Sequence, residues 1–464
     1  MLTRESGNTK CDARMPERSG FKYCPVGAVS EIGASAHYLQ FDRWGVLLDA
    51  GLDPHHALHN GVPAYDLLYD HPVNAIFISH AHLDHVGSLP VALQRFPRAR
   101  VYMTPATAEL TEMMLHHYLH VQRKQALECW QPYRPLYSEE YLDMIRYLFQ
   151  SFDYETPFVL HGYEESGLRF TFYDAGHILG SAGVLIEWRG RRLFYTGNVR
   201  LSAQFILKGA RLPDSVDVLI TEATYGADAQ AETIRRSAEM KRFARHVSQH
   251  LQMGGVVLLP VFALGRTQEM LMLLHRLRKN NQIPAVPIYV AGFGLAINRL
   301  YDRMLHKIYP EYRHGQLRTI TFGRWSRGRR LQGPAILIST SGMLLPGSAS
   351  FDFARQLAED ARNAIFFVGY ADPETPGGLM QAKKIETLKS LFQVDRLACR
   401  VEGFRFSAHA HRRELLKLIQ RLQPSQIILT HGEKPALQWM AKHIPSVLSD
   451  GSVLIPESGK WYNL

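Results

Sequence analysis

The chain has 464 residues, more than one ordinary hydrophobic core accommodates, so its length predicts about two or three domains. With 46% hydrophobic and 11% aromatic residues, the composition is that of a globular protein and excludes a disordered chain. The formal net charge of +10 favours an anionic partner such as nucleic acid, but charge alone does not decide this because many basic proteins bind nothing anionic.

Neither a membrane span nor a disulfide framework is expected. No apolar run is long enough to cross a bilayer, and the polar N-terminal segment lacks the apolar core of a signal peptide. The cysteines are far apart and form no Cys-x-x-Cys pair; they are Cys11, Cys24, Cys129 and Cys399. We expect free thiols in a reducing compartment, and therefore a cytoplasmic protein.

The chain begins with a segment, residues 1–24, that shows no periodicity and is predicted to be a flexible arm. Strand-like runs follow at residues 26–41 and 44–51, and the polar turn between them predicts a β-hairpin. Asp49 closes the second run just before a glycine. It is either an ordinary turn aspartate or a carboxylate that reaches the loop of the next strand.

The next strand ends in a cluster of potential metal ligands. Residues 76–87 read IFISHAHLDHVG, and the ligand-type residues are His80, His82, Asp84 and His85. Imidazole nitrogens with a carboxylate suit zinc, and to a lesser degree manganese or iron. The alternative, surface histidines in a chain with 22 of them, does not explain this density directly after an apolar strand.

Helical patterns at residues 88–96 and 105–125 separate this cluster from the next strands. The second pattern carries His116, His117 and His120, which include an i,i+4 pair that could bind a metal. We interpret these three as a solvated helix face, because a better site already exists. The same interpretation covers His55, His56 and His59.

Strand-like runs over residues 168–198 carry two further candidates. His177 lies between glycines that allow a sharp turn, and it would complete a metal-binding face with His80 and His82. Asn198 follows another strand end. Strands with ligands at their ends and helices between them predict a sheet sandwich flanked by helices.

Strands alternating with helices over residues 216–400 predict a second domain with a parallel sheet; its first strand ends at Glu222. The last sixty or so residues return to strands that end in histidine, namely His409, His411 and His431. Such strands make sense if they rejoin the metal site. The second domain is therefore predicted to be an insertion into a first domain of residues 25–215 and 401–464.

This order resembles the β-CASP branch of the metallo-β-lactamase superfamily. Further stretches support the resemblance: TEATYG, PVFALGRTQE, the Ser-Gly-Met at 341–343, FVGY, FSAH and THGE. It implies an α/β fold, a metallo-β-lactamase αββα sandwich with an inserted β-CASP α/β domain. Members of the branch are nucleases, including RNase J-like enzymes and the cleavage subunit of messenger RNA 3′-end processing, with the active site in the cleft between the domains.

The resemblance also implies roles. One Zn²⁺ would be held by His80, His82 and His177, and a second by Asp84, His85 and His431, with Mn²⁺ as a possible substitute. Asp49 would orient a ligand, and Glu222 would orient His409, which protonates the leaving oxygen while a metal-activated water attacks phosphorus. His409, Glu222 and Asp84 are thus the expected catalytic residues. Histidine at position 431 goes with RNA-processing members, so RNA is preferred over DNA.

Two positions depart from the family pattern. Asn198 stands where the family has an aspartate that bridges both metals, so the second metal site is expected to be weak. His411 stands where another aspartate is usual. Asn198 has three readings: a tolerated natural residue, a sign of a silent RNA-binding or scaffold subunit, or an engineered change. We favour retained chemistry, since loss of function would have eroded more than one ligand.

A basic segment, residues 323–330, is the candidate for nucleic-acid binding. Its members are Arg324, Trp325, Arg327, Arg329 and Arg330, which could pair with phosphates and stack on a base. A solvated basic loop is the alternative. The expected partner is single-stranded nucleic acid, and a homodimer or a larger complex would add grip on it.

Overall fold

A computed structural model describes residues 20–53, 61–128, 130–320, 323–325 and 331–464; within them, two sheets pack face to face in the first domain and a third forms the second. The chain first forms β1 (Lys22–Pro25), β2 (His37–Phe41), β3 (Trp44–Leu48), β4 (Ala75–Phe77), α1 (Leu83–Val86), α2 (Leu89–Arg95), β5 (Arg100–Met103), α3 (Pro105–Glu128), α4 (Glu139–Ile145), β6 (Phe149–Ser151), β7 (Arg169–Asp174), β8 (Ala182–Trp188), β9 (Arg191–Tyr195) and β10 (Val218–Glu222).

The following part contains α5 (Arg236–Gln252), β11 (Val256–Pro260), α6 (Arg266–Lys279), β12 (Ile288–Ala291), α7 (Gly294–Ile308), α8 (Gln316–Ile320), β13 (Gly323–Arg324), β14 (Ala335–Ser339), α9 (Ala349–Leu357), β15 (Ala364–Phe367), α10 (Pro376–Gln381), α11 (Ile385–Phe392) and β16 (Arg400–Gly403). The last part contains α12 (Arg412–Leu422), β17 (Gln426–Thr430), α13 (Lys434–His443), β18 (Ser452–Leu454) and β19 (Tyr462–Asn463). Short 3₁₀ helices span Tyr65–Leu68, Arg146–Leu148, Glu164–Ser166 and Ile444–Ser446.

The predicted sandwich is confirmed. The first sheet has the order β19-β1-β2-β3-β4-β5-β6, and the second has the order β18-β17-β10-β9-β8-β7. Because successive side chains of a strand point to opposite faces, Val218 and Ile220 of β10 pack inward with Phe77 of the first sheet, whereas Leu219 points outward. The shared apolar core of both sheets fixes their mutual position.

Helices cover the outer faces of both sheets. Leu93 of α2 and Leu115 of α3 pack with Ile76 on the outside of the first sheet. Ile419 of α12 and Leu437 of α13 pack on the second sheet. The layers therefore follow the order helix, sheet, sheet, helix, which is the αββα arrangement that the resemblance implied.

The inserted domain is a parallel sheet with the order β13-β12-β14-β11-β15-β16. Val257 and Leu259 of β11 face one helical layer, and Val256 and Leu258 face the other. Burial on both faces explains why these strands read as continuous apolar runs. The predicted α/β class of the insertion is confirmed.

The predicted domain boundaries need correction at three strands. β10 was expected to begin the insertion, but it pairs with β9 and β17 in the second sheet. β16 pairs with β15, so the insertion extends to Gly403. β1 lies within the predicted arm, yet Tyr23 and Cys24 are fully buried. A short apolar segment does not reveal which sheet it joins, because its partners are distant in sequence.

Cys24 and Cys399 are buried free thiols, as predicted, and Cys11 and Cys129 lie outside the described residues. In the described part of the chain, none of the helices combines the length and apolar character that crossing a membrane requires.

Parallel pairing brings the carboxyl ends of several strands to one edge of the sandwich. Leu48 of β3 pairs with Phe77 of β4 in the first sheet. In the second sheet β10 is parallel to both β9 and β17, and Glu222 pairs with Thr430. The loops that follow these strands therefore meet, although they are far apart in sequence.

Candidate metal centre

A first group of ligand-type atoms comes from His80, His82 and His177, and these atoms lie within 4.8 Å of one another. His80 follows β4, and His82 immediately precedes α1. His177 lies in the loop after β7, where Gly176 and Gly180 both have positive φ. The structure therefore brings together the histidines that the sequence predicted for one metal.

The hydrogen bonds of these histidines determine which ring nitrogen faces the centre. His177 Nδ1 donates to the carbonyl of Ala408 at 3.1 Å, and His80 Nδ1 lies 3.0 Å from Ser79 Oγ. His82 Nε2 points to the carbonyl of Leu264 in the inserted domain at 3.4 Å. In each ring the other nitrogen is then left with its lone pair facing the shared centre.

A second group consists of Asp84, His85 and His431, whose ligand atoms also lie within 4.8 Å of one another. His431 follows β17 with a φ of 50°, a left-handed conformation that is uncommon for residues other than glycine. Its Nε2 lies 3.3 Å from Asp84 Oδ2, and its Nδ1 lies 3.2 Å from Thr224 Oγ1. The prediction that these residues converge agrees with this geometry.

Asp49 anchors both groups from behind. Its Oδ2 accepts hydrogen bonds from His85 Nδ1 at 2.7 Å, Ser79 Oγ at 2.8 Å and Tyr195 Oη at 2.6 Å. Ser79 in turn contacts His80, so one buried carboxylate fixes a histidine of each group. This geometry agrees with the orienting role that the family resemblance implied for Asp49.

The facing ring nitrogens lie close enough together to share a metal ion. His177 Nε2 lies 3.1 Å from His82 Nδ1, and His85 Nε2 lies 3.2 Å from His431 Nε2. His177 and His85 donate through their other nitrogens, to Ala408 and Asp49, so in each ring the nitrogen that faces its neighbour can offer a lone pair to a metal ion. The donor set, imidazole with one carboxylate, fits zinc.

Asn198 lies between the two groups. Its Nδ2 is 3.1 Å from His85 Nε2 and 3.4 Å from His80 Nε2. Its Oδ1 is buried and has no hydrogen-bond partner among the described residues. Because the two ends of an amide have nearly the same shape, a 180° turn would aim this oxygen at both ligand groups. Asn198 thus occupies a bridging position without a charge.

Burial and neighbouring charges set the protonation of the ligands. Burial lowers the pKa of His80 and His177 well below the usual value, and that of His82 to about 4. Burial lowers the pKa of His85 too, but Asp84 and Asp49 outweigh it, so that this pKa is raised. Burial raises the pKa of Asp84, but His85 and His431 outweigh it and hold it well below its usual range. The first group is therefore neutral and ready to bind a metal.

A histidine and a carboxylate form a pair beside the metal ligands. His409 Nδ1 lies 2.9 Å from Glu222 Oε2 and 3.1 Å from Oε1. Burial raises the pKa of Glu222, but His409 and His431 outweigh it, so the carboxylate stays ionised. The His409 ring is 4.6 Å from that of His177, and its side chain is partly exposed. Its Nε2 can therefore exchange a proton with a group held beside the metal ligands.

Other predicted residues lie apart from this centre. The His117 ring stacks on Phe293 of the inserted domain with centroids 3.7 Å apart, and His116 contacts Asp143, so neither is simply a solvated helix face. His120 is exposed, as expected. His55, His56 and His59 lie outside the described residues.

The stacking role predicted for Trp325 is wrong. Its indole is buried and packs against Tyr289 and Phe353, so its faces are not available to a base. The apolar contacts of the indole with the sheet and α9 determine where Trp325 lies, whereas the basic residues next to it in sequence suggested an exposed position. Arg327, Arg329 and Arg330 lie outside the described residues, as does the side chain of Arg324.

Sequence reasoning missed several supporting residues. Tyr195 and Ser79 contact Asp49, and Thr224 links His431 to Glu222. Each lies within three residues of a predicted site residue at a strand end. Proximity to those motifs was therefore an available signal, but only the paired strands show which of the neighbours point inward.

Comparison with known proteins agrees with the fold and the site. A metallo-beta-lactamase superfamily domain matches residues 38–224, a Beta-Casp domain matches 267–380, and a Zn-dependent metallo-hydrolase RNA specificity domain matches 395–455. The chain belongs to the β-CASP branch of the metallo-β-lactamase superfamily. The three domain matches follow one another in the order that an inserted domain requires.

Among curated β-CASP relatives, the Endoribonuclease YSH1 of Eremothecium gossypii is 30% identical over 439 residues, 90% of this chain and 55% of the relative. The Cleavage and polyadenylation specificity factor 73 of Drosophila melanogaster is 30% identical, covering 91% and 62%. The RNase J-like protein of Methanocaldococcus jannaschii is 28% identical, covering 93% and 98%. The chain thus spans little more than half of the first two relatives.

A solved structure of a protein of unknown function from Enterococcus faecalis V583 also resembles the fold of this chain. It superposes with a TM-score of 0.54 and 13% sequence identity, and the match covers 96% of this chain and 100% of the other. At this identity the likeness concerns the fold alone.

Proposed function

We propose that the protein is a zinc-dependent phosphodiesterase that hydrolyses single-stranded RNA in the cleft between its two domains. The observation that carries the proposal is the convergence of two ligand groups with the Glu222–His409 pair at one edge of the sandwich. Metal ligands alone are compatible with many hydrolases of this fold. The Glu222–His409 pair can protonate a poor leaving group, and a cleft covered by a large inserted domain fits a polymeric substrate.

The ligands for two zinc ions would be His80, His82 and His177 on one side and Asp84, His85 and His431 on the other. Bound zinc supplies Lewis acidity and lowers the pKa of a water ligand to about 7. Mn²⁺ would be accepted less readily by a site so rich in imidazole. Asp49 keeps the rings of His85 and, through Ser79, His80 in the orientation that binding needs.

His409 would hold and deliver the proton that the leaving oxygen requires. Its Nδ1–H donates to Glu222, which leaves Nε2 to carry the transferable proton into the cleft. Glu222 is almost fully buried and also accepts the backbone N–H of Val199 at 2.7 Å, so its position is fixed.

Asn198 should make the two metal sites unequal. An aspartate in this position would add a negative charge between two dications, whereas the amide offers only a carbonyl dipole. Asp84 is then the only carboxylate among the described ligands. We expect one tightly bound ion and one that requires a higher metal concentration.

RNA is the proposed substrate because the relatives are named as endoribonucleases and as an RNase J-like protein, and because an RNA specificity domain matches residues 395–455. A preference over DNA, and assembly as a homodimer or within a larger complex, are parts of the same proposal. The arginines of residues 323–330 would add phosphate contacts. Buried free thiols at Cys24 and Cys399 fit a reducing compartment such as the cytoplasm.

The test combines metal content with cleavage. The purified protein would be analysed by plasma mass spectrometry and incubated with a labelled single-stranded RNA and its DNA counterpart, with and without zinc or manganese. A His409→Ala variant is the control, because it should retain metal and lose cleavage. Bound metal with metal-dependent cutting of RNA supports the proposal. RNA binding without metal or cleavage would instead identify a silent binding subunit.

A further inference from the structure

The start of α6 places two charged residues of the inserted domain deep in the interface with the first domain. Arg266 is 7% exposed and Glu269 is fully buried. Removing charges from water is costly unless each is paired and hydrogen-bonded, and such pairs rarely increase stability over apolar packing. Their presence between the domains therefore calls for a role other than adhesion.

Arg266 connects both segments that carry the proposed site. Its guanidinium donates to the carbonyl of Phe406, which is three residues before His409, and to Oε1 of Gln204. Gln204 Nε2 then donates to the carbonyls of Gly176 at 2.7 Å and His177 at 2.8 Å. The amide orientation of Gln204 is unambiguous, because Arg266 has only donors and the two carbonyls only accept.

Glu269 holds the same first-domain segment from the adjacent turn of α6. Its carboxylate accepts the backbone N–H groups of Phe205 at 2.9 and 3.0 Å and of Ile206 at 3.1 Å. Arg236 pairs with it from α5. Residues 204–206 are therefore anchored to the insertion by both backbone and side-chain contacts.

We propose that Gln204, Arg266 and Glu269 form a positioning clamp, the α6 clamp, through which docking of the inserted domain fixes the metal-binding loop of His177 and the segment that carries His409. None of the three approaches the reacting atoms, so they are positioning residues. The inference rests on the proposed function for its catalytic consequence. The site would reach its final geometry only when both domains are docked.

An exposed ion pair elsewhere in the interface provides a matched control. Arg303 of α7 pairs with Glu109 of α3, and this pair contacts neither the His177 loop nor the His409 segment. If α6 merely joined the domains, breaking either contact would have the same kind of effect. If the α6 clamp positions the site, only its own variants should alter the site.

The decisive variant is Gln204→Glu. It keeps an acceptor for Arg266, and hence the link between the domains, but it replaces the donor to Gly176 and His177 with a second acceptor. Arg266→Gln removes two hydrogen bonds of the guanidinium, the one to Gln204 and the one to the carbonyl of Phe406. Hydrogen exchange of zinc-free protein, zinc affinity by competition with a chromophoric chelator, and cleavage of a labelled RNA would be compared with wild type and Arg303→Ala.

Gln204→Glu should exchange faster than wild type over residues 174–182 and lose about tenfold or more in zinc affinity, as for other residues that orient metal ligands. Arg266→Gln should speed hydrogen exchange over residues 404–410, and it should lower kcat by a larger factor than it raises KM. Wild-type exchange over 174–182 in Gln204→Glu, or equal changes in Arg303→Ala, would overturn the clamp. If the wild-type protein neither binds zinc nor cleaves RNA, the proposed nuclease function is contradicted. The α6 clamp is still tested, because hydrogen exchange of the zinc-free wild type and variants does not depend on cleavage.

Discussion

Asn198 controls how much negative charge lies between the proposed metal positions. Asn198→Asp should tighten binding of the weaker metal by at least about tenfold and raise the cleavage rate, since a unit charge at about 4 Å contributes several kcal/mol even at an effective dielectric of 20. Titration calorimetry with zinc, alongside RNA cleavage, measures both. Asn281→Asp adds the same charge on the exposed surface and should change neither. Unchanged zinc binding in Asn198→Asp would contradict a bridging position.

Tyr195 supports His85 through Asp49, and its hydroxyl is the only part of it that does so. Tyr195→Phe should cost about 1 kcal/mol of unfolding free energy and about tenfold in zinc affinity, because Asp49 loses one of the donors that hold it beside His85. Tyr23→Phe is the matched control, since it loses a buried bond of 3.0 Å to His37 in the same core. Equal loss of zinc affinity in both variants would argue against the positioning role.

At the scale of elements, the loop between β7 and β8 depends on its approach to α3. Gly180 has a φ of 82°, and a Cβ there would lie 2.6 Å from the backbone nitrogen of Thr107. Gly190 has a φ of 77°, but a Cβ there would have nothing within 4 Å. Gly190→Ala should cost about 1–2 kcal/mol from backbone strain alone.

Gly180→Ala should cost more than that and also weaken zinc binding, because the loop must move away from α3 and take His177 with it. Urea unfolding curves give the free energies, and the chelator competition gives the zinc affinity. Equal effects of the two alanines on zinc affinity would show that the close approach to Thr107 has no part in placing His177.

The sequence allowed the site to be predicted better than the boundaries. Histidines that directly follow apolar strands, such as His80 and His431, could be assigned because strand ends share an edge of a sheet. The placement of β10 could not, since a buried parallel strand reads alike in either sheet and its pairing with β17 joins residues about 200 apart. Burial of Trp325 and the contacts of Gln204 likewise depend on tertiary packing that no local pattern encodes.

For the whole molecule, a bound metal ion should stabilise the fold by linking parts of the chain that are distant in sequence. The second ligand group joins Asp84 and His85, which follow β4 of the first sheet, to His431, which follows β17 of the second sheet. Zinc at about 1,000 times its dissociation constant should stabilise the folded protein by about 4 kcal/mol, provided the unfolded chain binds it weakly. Chelation should therefore lower the thermal midpoint.

A scan of thermal unfolding with increasing zinc measures this effect. Added zinc should raise the thermal midpoint of His431→Ala by less than that of the wild type, because only the first ligand group remains intact. If the thermal midpoint of the wild type does not change with zinc concentration, the metal does not stabilise the fold.

The strand order has a consequence for biosynthesis. β17 completes the second sheet beside β10, and β19 pairs with β1, so that Tyr23 meets Tyr462. At about 5–20 residues per second, a ribosome would take roughly 20–70 s between making His80 and His431. During this interval the nascent first domain would expose the edge of β10, while the insertion could already fold. The α/β insertion could therefore be complete before the sandwich, and β17 would later bring His431 to the edge that carries the other ligands.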